Sequence, residues 1–122
     1  MAIDILVADD LAFIRNVLRD TLSTAGFHVV GEAGTGGEAV ELFAEKQPDV
    51  VLMDITMPGM DGLDALRAIR AADPNACVIM CTALGQERLI SEAIGAGARD
   101  FIVKPFAPER VVVAVKTALN IS

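Results

Sequence analysis

The chain has no tryptophan and no tyrosine, a single histidine and only two cysteines; five phenylalanines supply all of its aromatic content. With His28 alone, a histidine-based metal cluster or catalytic pair is excluded. Cys77 and Cys81 fall on one predicted strand, where a rise of ~3.3 Å per residue would hold them roughly 13 Å apart, too far for a disulfide. They read as small core side chains and suit a reducing compartment. Basic residues are scarce: ten Lys and Arg against seventeen Asp and Glu give a net charge of −7. A chain of that sign lacks the basic face needed to displace counterions from nucleic acid or to dock on anionic lipid. Long apolar runs are also missing. The longest, Ala76 to Cys81, is about six residues, far short of the ~20 a membrane helix needs. Met1-Ala2-Ile3-Asp4 carries no basic or long apolar signal segment, so a cytoplasmic protein is expected. No linker, repeat or low-complexity stretch divides the chain, and residues 1–122 are expected to form one domain.

What the chain does have is apolar residues, 53% against 22% charged, enough for a folded core. They are arranged as five alternations of a short β-rich run and a helical stretch. Strands are expected at 3–8, 27–33, 50–53, 77–80 and 99–103, and helices at 11–25, 36–46, 62–72, 86–96 and 108–120. Val50-Val51-Leu52-Met53 and Cys77-Val78-Ile79-Met80 are apolar throughout and must be buried on both faces. The runs carrying His28 and Arg99-Asp100 look like edges. Five βα units of this kind imply a parallel sheet with helices on both sides, a flavodoxin-like (βα)5 three-layer sandwich in strand order 2-1-3-4-5. The last helix contains Val111-Val112-Val113, which has poor helix propensity, although Val111, Val115 and Leu119 recur at helical spacing.

In open α/β sheets, ligands bind beyond the carboxyl ends of the strands. There the sequence places Asp9-Asp10 after the first strand, Asp54 after the third, Thr82 after the fourth and Lys104-Pro105 after the fifth. The first and third strands are neighbours about 4.8 Å apart in this order, so three carboxylates crowd one edge. At ~5 Å and an effective dielectric of about 20, each pair repels by roughly 3 kcal/mol. A hard, oxygen-liganded cation such as Mg2+ is the natural occupant. Thr82 offers a hydroxyl one strand from Asp54, and Lys104 lies two strands away, roughly 9.6 Å by strand spacing. A carboxylate nucleophile, a metal, a hydroxyl and a compact cation are the parts needed for in-line phosphoryl transfer. Gly34-Thr35-Gly36-Gly37 lacks the Gly-Lys-Ser/Thr ending of a phosphate loop and reads as a turn with a helix cap.

Asp9-Asp10, the segment from Met53-Asp54 through Thr56, Met57-Pro58 and Gly59 to Asp61-Gly62, Cys81-Thr82-Ala83, and Lys104-Pro105-Phe106 resemble, in order and over essentially the whole chain, the receiver domain of two-component response regulators. Asp54-Ile55-Thr56 with Thr82-Ala83-Leu84-Gly85-Gln86 is similar to the stand-alone chemotaxis regulators of the CheY type. The resemblance implies a single receiver domain over 1–122 with no output domain, acting as a signalling switch in a phosphorelay and not as an enzyme with an external substrate. By the same resemblance Asp54 accepts phosphate from a histidine kinase, and Asp10, Asp54 and the Thr56 carbonyl ligate Mg2+, with Asp9 acting through water. The resemblance also implies that Lys104 contacts the phosphoryl group and that the Lys104–Pro105 bond is cis. It further implies that Thr82 couples phosphorylation to Phe101, where relatives can carry Tyr; Phe has no hydroxyl, so the coupling is expected to rest on packing.

Helical geometry turns Val112, Val113 or Ala114 toward solvent on the last helix, and Ala114 with Ile90, Phe101 and Val103 is the expected apolar partner face. The resemblance makes the flagellar motor switch the expected target, with a phosphatase as a further partner, and the protein is expected to be a monomer. A phosphorelay intermediate or another stand-alone regulator is the alternative. A metal-dependent phosphatase with an Asp nucleophile would need a second Asp two residues on, where the chain has Thr56.

Overall fold

The computed structural model describes residues 2–121. It contains β1 (Asp4–Ala8), α1 (Ala12–Thr24), β2 (His28–Ala33), α2 (Gly36–Lys46), β3 (Val50–Asp54), α3 (Gly62–Ala72), β4 (Val78–Ala83), α4 (Glu87–Gly95), β5 (Asp100–Lys104) and α5 (Pro108–Ala118). All five strands are parallel, in the order β2-β1-β3-β4-β5. The flavodoxin-like arrangement expected from the sequence is the one observed, with β2 and β5 at the edges.

Two cores flank the sheet because successive strand residues point to opposite faces. Ile5, Val7, Val50, Leu52, Ile79 and Ile102 pack beneath α1 and α5. Leu6, Val51, Met53, Val78 and Met80 pack beneath α2, α3 and α4. This double burial explains the unbroken apolar runs of β3 and β4.

β4 runs three residues beyond the expected end. Thr82 and Ala83 pair with Val103 and Lys104 of β5, and this ladder outweighs the weaker strand signature of Cys81-Thr82-Ala83. In α5 the valine run is helical, with Pro108 in its first turn and Val111 and Val115 fully buried. Tertiary packing overrides propensity here. The buried stripe is Val111, Ala114, Val115 and Ala118, spaced i, i+3, i+4, i+7. Ala114 is therefore in the core at 0% exposure and cannot belong to a partner face; Val113, at 55%, is the solvent-facing residue of this run. The expected stripe of every fourth residue was too narrow, because a helix lying on a sheet buries a wider band than one row.

Candidate functional site: an acidic cluster at the switch point of the sheet

Strand order reverses between β1 and β3, since the chain leaves β1 toward one edge and β3 toward the other. The crevice so formed lies at the carboxyl ends of the two strands. Asp9 and Asp10 follow β1, and Asp54 ends β3; one carboxylate oxygen from each lies within 4.8 Å of the others. The first two differ sharply in setting. Asp9 is 1% exposed and Asp10 is open to solvent. Asp9 is fully engaged by the protein: Oδ1 accepts from the Leu11 N–H at 2.9 Å, Oδ2 accepts from Lys104 Nζ at 2.7 Å, and its backbone carbonyl accepts from Arg15 Nη1 at 2.5 Å.

Lys104 reaches the site from the end of β5, two strands from Asp54, and stands 3.5 Å from Asp54 Oδ2. The Lys104–Pro105 bond is cis. Burial works against the Lys104 ammonium, but its hydrogen bond to Asp9 and the charges of Asp54 and Asp9 more than offset this, and its pKa is raised. Burial also pushes the Asp54 carboxyl above its ordinary value; Lys104 opposes the shift, Asp9 adds to it, and a backbone hydrogen bond from Thr56 opposes it. One ammonium faces three carboxylates, so the site remains electron-rich. An oxygen-only donor set of this size, open on the Asp10 side, suits a hard divalent cation such as Mg2+. The residues fit it.

Backbone proximity builds the floor of the crevice. The Gly62 N–H donates to the Ile55 carbonyl at 2.7 Å, and any Cβ at Gly62 would strike the Asp54 carbonyl. A Cβ at Gly36 would likewise strike the Met60 carbonyl, which accepts from the Gly36 N–H. Within the run Gly34-Thr35-Gly36-Gly37, Gly36 thus serves a close approach of α2 to the β3–α3 loop. Thr35 caps that helix, accepting from the Glu38 N–H at 3.1 Å, while Glu38 accepts in return from the Gly34 N–H.

Thr82 lies on β4 beside β3 but does not turn to Asp54. Fully buried, its hydroxyl donates to Gln86 Oε1 at 2.6 Å. Gln86 also accepts from the Ala83 N–H at 2.7 Å and donates from Nε2 to the exposed Thr56 hydroxyl at 3.1 Å. Sequence reasoning gave Gln86 no role. Its only signal was a spacing of four from Thr82 across Gly85, which adopts φ +89° and turns the chain back. Phe101 is half-buried against the core beneath α4, and Val103, two residues on, shares its face; Ile90 of α4 is also half-buried. His28 is exposed at the far end of the sheet, 3.1 Å from Asp4. No helix among the described residues is long and apolar enough to cross a membrane.

Comparison with known proteins points the same way. The family described as response regulator receiver domain matches residues 5–116. The chemotaxis protein CheY of Thermotoga maritima is 55% identical over 111 residues, covering 91% of this chain and 92% of that one. The CheY of Bacillus subtilis is 52% identical over 120 residues, covering 98% and 100%. Among solved structures, the response regulator domain of Thermotoga maritima CheB superposes with a TM-score of 0.91 at 37% identity, covering 100% of this chain and 99% of that one. The CheX–CheY–BeF3–Mg2+ complex of Borrelia burgdorferi gives 0.92 at 37% identity, covering 96% and 89%.

Proposed function

The chain belongs to the response regulator receiver family, and from that premise we propose that it is a chemotaxis messenger phosphorylated on Asp54 by a histidine kinase in a Mg2+-dependent reaction. Membership of the family places it in two-component signalling, and its CheY relatives support a chemotaxis role. The observation that carries the finer reading is the convergence of Asp9, Asp10 and Asp54 with a single ammonium, Lys104, at the switch point of the sheet.

In the proposed reaction an Asp54 carboxylate oxygen attacks the phosphorus of a phosphohistidine. A P–O bond forms, the P–N bond breaks, and its electron pair leaves on the imidazole nitrogen. Lys104, 3.5 Å from the nucleophile, is placed to pair with the phosphoryl oxygens, and Asp9 anchors it there. Asp10, Asp54 and the Thr56 carbonyl would hold Mg2+, with Asp9 contacting it through water. Held there, the ion would supply positive charge to offset that of the phosphoryl oxygens and would relieve repulsion among the carboxylates. Water attack on the acyl phosphate then returns Asp54 and inorganic phosphate.

The output surface we assign to Ile90, Phe101 and Val103, reached from Asp54 through Thr82. The proposed target is the flagellar motor switch, with a phosphatase as a second partner and the cytoplasm as the location. Labelling by acetyl phosphate tests the chemistry. The wild type should take up one phosphoryl group only when Mg2+ is present, and Asp54→Asn should take up none. Stoichiometric labelling of Asp54→Asn would move the nucleophile elsewhere.

A further inference from the structure

Gln86 occupies the N-cap position of α4, yet its side chain makes no capping bond to that helix. It reaches back over the Gly85 turn and joins two loops. Its oxygen takes the Thr82 hydroxyl and the Ala83 N–H, and its nitrogen gives to the Thr56 hydroxyl. The orientation of the amide is set by chemistry, because the Ala83 N–H can only donate and must face the oxygen. Thr82 has one hydroxyl proton. The bond to Gln86 is the short one at 2.6 Å, and the contact with the Ala83 carbonyl is 3.3 Å. A proton held by Gln86 is not available to a phosphoryl oxygen on Asp54.

We propose that Gln86 is the resting-state latch of the switch, a positioning residue that holds the Thr82 hydroxyl away from Asp54 until a phosphoryl group outcompetes it. The inference rests on the reading of Asp54 as the phosphoryl acceptor. The two acceptors differ in strength: Gln86 offers a neutral amide oxygen, whereas a phosphoryl group offers charged oxygens, and charge-assisted hydrogen bonds are roughly twice as strong. The exchange therefore runs toward the phosphoryl group while it is present and back to Gln86 when it leaves. Release of the Thr82 hydroxyl leaves Gln86 held by the Ala83 N–H and the Thr56 hydroxyl, so its amide oxygen stays in place to retake the proton. The length of time the active state survives is then set in part by a residue that touches neither metal nor phosphate in the resting protein.

The test is the affinity for beryllofluoride, a phosphoryl mimic, in saturating Mg2+, measured by calorimetric titration of the wild type, Gln86→Ala, Thr82→Val and the double variant. Removing the latch removes one competing hydrogen bond, about 1 kcal/mol. Gln86→Ala should therefore bind about fivefold tighter than the wild type, that being the same energy read as an affinity ratio. The gain should vanish when Thr82→Val is already present. Gln86→Met, which keeps the chain length and loses the amide, should reproduce the Gln86→Ala result and separate the hydrogen bond from packing. An unchanged or weaker affinity for Gln86→Ala, or an equal gain in the Thr82→Val background, would overturn the latch while leaving the phosphorylation reading intact. Failure of the wild type itself to bind beryllofluoride would overturn both.

Discussion

Among the described residues, Lys104 is the one cation within ion-pair distance of the acidic cluster, and it lies nearer Asp9 than Asp54. Asp9 thus works in the resting protein as an anchor for the ammonium, which accounts for a nearly fully buried aspartate beside an exposed one. A second residue shows how strongly burial governs chemistry at this end of the sheet. Desolvation pushes the Cys81 thiol from its ordinary 9.0 up to about 12; Lys104 opposes the shift, and Asp54 and Asp9 add to it. Its contribution to stability is fully present below the unfolded value and is lost as pH rises from about 9 toward about 12, because only the unfolded thiol ionises in that window. The slope from one such group is about 1.4 kcal/mol per pH unit. Cys81→Ala should accordingly flatten the alkaline decline in urea-unfolding stability, whatever it costs in packing at pH 7. A decline as steep as that of the wild type would show that Cys81 ionises as freely in the native state as in the unfolded one.

At the scale of elements, α5 shows which arguments from sequence succeed. Ala114→Glu would drive a carboxylate into a closed core and should cost at least ~3 kcal/mol, whereas Val113→Glu, one residue earlier, should stay within about 0.5 kcal/mol of the wild type. Urea denaturation of the two variants decides this, and equal stabilities would contradict the observed orientation of the helix. The starts of α2, α3 and α5 and the strand order were legible because Gly, Pro and apolar period are local signals. The true end of β4 was not, because Thr82 and Ala83 are held by partners on β5 more than by their own propensity. The positions of Asp9, Asp10, Asp54 and Lys104 at one sheet edge followed from topology alone. What Thr82 and Gln86 do with their hydrogen bonds did not, since a rotamer and a loop conformation leave no periodic trace in the chain.

On the scale of the whole molecule, the site and the proposed output surface lie on different parts of the same sheet. Asp54 ends the central strand, while Phe101 and Val103 belong to the edge strand β5, with β4 and Thr82 between them. The end of β4, Thr82 and Ala83, is ladder-paired with β5, so in the proposed switch a displacement there would pass to β5 and to the β4–α4 loop that Gln86 ties down. Phe101 has no hydroxyl to hydrogen-bond, and its half-buried ring leaves packing as the means of response. A ligand shifts an equilibrium only through its differential affinity for the two arrangements, so the proposed phosphorylation of Asp54 should be visible at a distance from it. The most direct measurement is the set of backbone amide chemical shifts with and without beryllofluoride in saturating Mg2+. Changes are expected at Asp9, Asp10 and Asp54 together with residues 82–90 and 101–106. Changes confined to the acidic cluster, with 84–90 and 101–103 unmoved, would contradict the proposed switch.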